Sequence, residues 1–168
     1  MIYVSPQKRT GGTASSGGVR DSHRSGDSQD RWPPAPAAYD PNYWSTNGVI
    51  KEEWLTTKAE ELAEKFLNSR SEPKLTAAQL RRFYNDVKAL EARIAAEDFR
   101  KNLPFIKMLK AKAAYSCPVK GTKKTPQEFA RFIFSSVDQI ETVEDFKAFS
   151  KAFEAVVAYF YAKGGGQR

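Results

Sequence analysis

Glu144 to Lys163 reads EDFKAFSKAFEAVVAYFYAK, and Phe146, Phe149, Phe153, Val156, Val157, Phe160 and Tyr161 recur in it at helical spacing. Steps of three, four, three, one, three and one residues hold these side chains on one broad face. Such a face must be buried against other helices or a partner. Just upstream, Thr142 with Asp145 three residues later has the form of a capping box opening this helix.

Working back from that helix, Phe129, Phe132, Ile133 and Val137 form the inward face of a preceding one, with Thr125 as its expected cap. The segment PVKGTKKTP before it is a loop by its prolines and glycine. Lys120, Lys123 and Lys124 make that loop the most basic short stretch of the chain. Earlier still, a helix is expected to begin after Asn102, with Pro104 in its first turn, and to end at Pro118. Its expected inward residues are Phe105, Ile106, Leu109 and Ala113.

From Leu75, LTAAQLRRFYNDVKALEARIAAEDF runs without a breaker, capped by Thr76 and separated from what precedes by Pro73. Leu80, Phe83, Tyr84, Val87, Leu90 and Ile94 form its apolar stripe. A first amphipathic helix, KEEWLTTKAEELAEKFLN, turns Trp54, Leu55, Ala59, Leu62, Ala63 and Phe66 inward. Nothing alternates long enough to be a strand, and no hairpin turn joins two β-branched runs. The fold class is therefore all-α: a compact bundle of about five helices preceded by a disordered N-terminal tail.

Composition sets the boundaries. Residues 1–48 hold most of the glycines and prolines, in runs such as GGTASSGG and RWPPAPAA. Such runs do not offset their own chain entropy, so this part reads as a low-complexity, mostly disordered tail. Residues 49–163 form the helical domain, and 164–168 a frayed end. The tail carries five Lys/Arg against four Asp/Glu, which leaves 22 against 16, or +6 of the total +7, in residues 49–168. A basic domain suits a polyanion such as nucleic acid. The single cysteine, Cys117, excludes an intramolecular disulfide and fits a reducing cytoplasm. No apolar run nears the roughly 20 residues that span a bilayer, and no signal-peptide core stands at the N-terminus. A soluble cytoplasmic protein with no membrane partner is expected.

Catalytic chemistry finds little material. His23, the only histidine, lies in the tail with nothing to hold it in register, and Cys117 has no histidine in the helical domain to activate it. Zinc ligands and a phosphate-binding glycine loop are both lacking, so no cofactor and no metal is expected. Cations on helix faces remain, suited to phosphate contacts that ignore base identity. On the second helix Arg81 and Lys88, seven apart, share a flank near Tyr84, while Arg82 and Arg93, eleven apart, share the side opposite the core. On the third, Lys107 and Lys110 are neighbours three apart and Lys112 points elsewhere.

Three blocks then occur in order: KLTAAQLRRFYNDVKALEARI, LPFIKMLKAKAAYS and FARFIFSSVDQIETVEDFKAFSKAFEAVVAYFYAKGGG. Together, from about Lys74 to Gly165, they resemble the small subunit of type III-A CRISPR–Cas effector complexes, the Csm family. The resemblance implies a non-catalytic helical protein, present in several copies, that lies along the guide CRISPR RNA and the target RNA. Its other implied partners are further copies of itself and the backbone and large subunits of the complex. The RNA-binding residues expected on this reading are Arg81, Arg82, Lys88, Arg93, Lys107, Lys110 and Lys112, with Arg81, Lys107 and Lys110 foremost. Lys120, Lys123, Lys124 and Arg131 stand in the second rank. Trp32, Tyr39, Tyr43 and Trp44 leave the tail two roles, an unbound linker or a segment that docks on a partner subunit. Two other functions fit the residues: a helix-turn-helix DNA-binding regulator using Thr76 to Ile94 as recognition helix, and a helical protein–protein adaptor.

Overall fold

Start signals and apolar stripes place the helices. A computed structural model of the chain describes residues 32–69 and 73–166. Helix α1 spans Thr57–Leu67, preceded by a 3-10 turn at Glu52–Trp54; α2 spans Ala77–Ala96, α3 Phe99–Ser116, α4 Gln127–Asp138 and α5 Val143–Ala162. Thr76 and Gln79 close a capping box on α2, and Thr142 and Asp145 close one on α5. Each box satisfies amides that the helix itself leaves unpaired.

The aromatic helix is the centre of the bundle. α5 packs against α1 and α2, while α3 packs against α4 and α2. Phe146, Phe149, Phe153, Val156 and Phe160 are buried along it, with Val157 and Tyr161 half-buried at the margins of the stripe. The rings of Phe149 and Phe153 stack with centroids 5.9 Å apart, and Phe129 and Phe132 of α4 and Phe66 of α1 complete one aromatic network. Each fully buried phenylalanine contributes about 1.5–3 kcal/mol relative to exposure. That is why this stripe decides the fold.

Several expectations change. α3 begins at Phe99, capped by the Asp98 carboxylate, so Pro104 lies inside the helix instead of in its first turn. Its inward positions are Asn102, Ile106, Leu109 and Ala113. Phe105, one residue and about 100° from Ile106, stands outward and is 43% exposed. The Thr125 hydroxyl does not cap α4, whose N-cap residue is Pro126. It is buried and shares a 2.9 Å hydrogen bond with Ser116.

The expected tail boundary also moves. Residues 1–31 and 167–168 lie outside the described residues, but from Trp32 to Ile50 the chain packs on the bundle. Trp44 is buried against Trp54 and Phe149, its indole N–H donating to Gln139 O at 3.0 Å. Gln139 also receives Asp40 N and donates to Ala38 O, both at 2.7 Å. Large aromatic area outweighs the entropy of ordering a proline-rich segment. Two strands, β1 (Ser45–Thr46) and β2 (Val49–Ile50), pair antiparallel around Asn47 and Gly48 at φ 52° and 78°. That is the left-handed pair that an Asn-Gly hairpin turn needs, so the expectation of no hairpin was wrong. At the other end Gly164, at φ 90°, donates to Tyr161 O and Gly165 donates to Phe160 O, both at 3.0 Å. This Schellman cap replaces the expected fraying over Gly164–Gly166.

Candidate nucleic-acid interface

Packing of α2 against α3 leaves a groove along their solvent side. It consists of two joined depressions of about 530 and 200 Å³ that share Asp86, Met108 and Lys112. Arg82 and Arg93 come from α2 and Lys112 from α3. Lys124 arrives from the loop after α3, which is fastened to both walls at one end of the groove. Its own amide and that of Thr125 donate to Ser116 O at 2.7 and 3.1 Å, while Gln79 Nε2 donates to Lys124 O at 2.5 Å.

Four cations thus line one surface against a single carboxylate, Asp86, which pairs with Lys112 at 2.9 Å. Lys112 is exposed and Asp86 half-exposed, so that ion pair is weak and readily exchanged. Arg93 Cζ lies 4.3 Å from the Phe105 ring centroid, and Lys124 Nζ 4.6 Å from that of Tyr115. The two residues expected opposite the core, Arg82 and Arg93, in fact edge this groove, and Lys112 points into it. Phe105 and Tyr115 were missed as surface residues. Extending the inward periodicity of Ile106, Leu109 and Ala113 back to Asn102 would have shown Phe105 off the stripe.

The other candidates lie elsewhere. Lys107 Nζ donates to Val137 O at 3.1 Å, Ile140 O at 3.0 Å and Glu141 at 2.9 Å, a cation at the carbonyl end of α4. Lys110 pairs with Asp138 at 2.5 Å, with side chains only 21% and 13% exposed. These two lysines share a face, as expected, but both ammonium groups are engaged by acceptors of their own chain. Arg81 donates to Tyr161 Oη at 3.1 Å. Lys88 pairs with Glu91, whose hydrogen bond holds its pKa above the ordinary lysine value, and lies 3.9 Å from Glu154. Both therefore face α5, away from the groove. Arg131 stands over Trp32, 6.0 Å from its ring. Lys120 is exposed on the loop, and Lys123 reaches Gln127 at 3.4 Å.

Cys117 is buried, and burial pushes its thiol pKa up. Among the described residues no three His, Cys, Asp or Glu side chains come together to hold a metal, and no helix is long and apolar enough to cross a membrane.

Compared with known proteins, the chain matches the family model described as Csm2 Type III-A over residues 51–165. No curated protein and no solved structure gives a significant match. The family match takes in all five helices of the described residues and both walls of the groove, over two-thirds of the 168 residues. The chain therefore belongs to the Csm2 Type III-A family and is a small subunit of the type III-A CRISPR effector complex.

Proposed function

We propose that this subunit performs no chemistry itself and holds guide and target RNA in the cytoplasm through the phosphate contacts of its α2–α3 groove. In doing so it bridges further copies of itself and the backbone and large subunits. The observation that carries this reading is the convergence of Arg82, Arg93, Lys112 and Lys124 around one carboxylate, Asp86. Lys120 and Lys123 extend the positive surface on the adjoining loop. Arg81 and Lys88 supply a separate, weaker line on the α5 side. Lys107, Lys110 and Arg131 serve the bundle itself.

Phosphate neutralisation releases counterions, so affinity falls by about 0.7 logarithmic units per contact for each tenfold rise in salt on a single strand. Binding of RNA to the full chain, measured across a salt series, is expected to lose affinity and about two units of salt slope in the Arg82→Glu, Lys112→Glu, Lys124→Glu variant. Selective binding of one duplex DNA sequence would instead support a DNA-binding regulator. Salt-insensitive self-association without RNA binding would support a protein adaptor.

A further inference from the structure

Phosphate binding does not require aromatic rings, yet the groove displays them. Phe105, Met108 and Tyr115 are 43%, 53% and 74% exposed and are three of the six large apolar side chains the described chain leaves in water. All three line the groove. Tyr115 adds nothing to the core at that exposure, and Phe105 has turned away from it. A protein-binding patch would be poor in charge at its centre. Here four cations intersperse the apolar side chains, with Asp86 the one acid. Alternating rings and cations match a polyanion that carries its own aromatic faces.

We infer that the groove seats single-stranded RNA, with unpaired bases stacked on Phe105 and Tyr115 and the phosphates held by Arg82, Arg93, Lys112 and Lys124. This rests on the RNA reading above and adds a preference for unpaired strand. Paired bases already stack on one another within a duplex and offer no free face to a ring. Phe105 and Tyr115 are ten residues apart on one helix, about 15 Å along its axis. A strand rising about 3.4 Å per stacked nucleotide covers that in four or five nucleotides. Met108 lies between them as an adaptable apolar floor. Arg93 and Lys124, now over the two rings, are placed to turn outward to phosphate as bases take their positions.

The test compares a uridylate decamer, an abasic ribose-phosphate decamer and an RNA duplex, each titrated against the full chain. The variants are Phe105→Ala with Tyr115→Ala, Tyr115→Phe alone, and Arg82→Glu with Lys112→Glu. The native chain is expected to bind the uridylate strand about twenty-five-fold or more above the abasic strand, which lacks both stacks, and at least about fivefold more tightly than the duplex. The double alanine variant loses roughly fivefold or more per ring on uridylate and stays within about twofold on the abasic strand, and Tyr115→Phe keeps native affinity. Equal affinity for uridylate and abasic strands, or an unaffected double alanine variant, overturns the stacking site. If charge reversal still weakens every probe, the phosphate reading survives that loss. If charge reversal has no effect, or the native chain binds none of the probes, both readings fall. Unchanged circular dichroism and melting of the variants separate lost contacts from lost fold.

Discussion

Lys110 and Lys112 are two residues apart on one helix and serve opposite ends. Lys110 meets Asp138 in a half-buried ion pair that ties α3 to α4, and Asp138 also accepts Ala37 N at 3.1 Å. Removing Lys110 leaves a largely buried carboxylate without its cation, so Lys110→Ala is expected to cost about 1–3 kcal/mol in denaturant unfolding while RNA affinity stays native. Lys112→Ala is expected to reverse that pattern: stability within about 0.5 kcal/mol, as for most surface changes, and weaker RNA binding. Cys117, buried and with its thiol pKa raised by desolvation, should resist alkylation at neutral pH in the native chain and react fully on denaturation. The charge of all these residues is written in the sequence. Which partner each charge meets is not, because α4 and α3 are brought together only by folding.

The elements owe their limits to local chemistry that sequence spacing shows well. Thr142 Oγ1 accepts from Asp145 N at 3.1 Å and Asp145 accepts from Thr142 N at 2.9 Å, as the pattern predicts. Asp145 also receives the Tyr39 hydroxyl at 3.0 Å, which joins the cap of α5 to the N-terminal segment. Thr142→Ala is expected to lower stability by about 1 kcal/mol. At the far end of α5, Gly164 takes φ 90°, a conformation that costs an L-residue about 1–2 kcal/mol. Gly164→Ala should lose about that much, and thermal melting of both variants checks these values. α3 shows where local reading fails. Pro104 looks like a first-turn residue, but the Asp98 cap starts the helix a full turn and more earlier. Packing against α4 and α2 offsets the hydrogen bond that proline cannot make.

At the scale of the molecule, the Trp32–Ile50 segment lies outside the family match yet supplies Trp44, the largest fully buried side chain. Trp44→Ala is expected to cost about 3–5 kcal/mol through the cavity it leaves, lowering the melting temperature by ten degrees or more in a calorimetric scan. Composition assigned this segment to a tail because proline and glycine counts do not register which aromatic rings find a surface. The number of helices, their order, the buried faces of α2, α4 and α5 and the caps of α2 and α5 follow from the sequence alone, since each depends on residues within a few turns of one another. So does the basic character of the domain. The groove was decided by tertiary structure: its cations come from α2, α3 and the loop that follows α3, and the packing of those elements chooses which charges face solvent together. The same packing turned Phe105 outward, gave Lys107 and Lys110 partners at the end of α4, and drew Trp44 inside, because burial is a property of neighbours that the chain brings from far along its length.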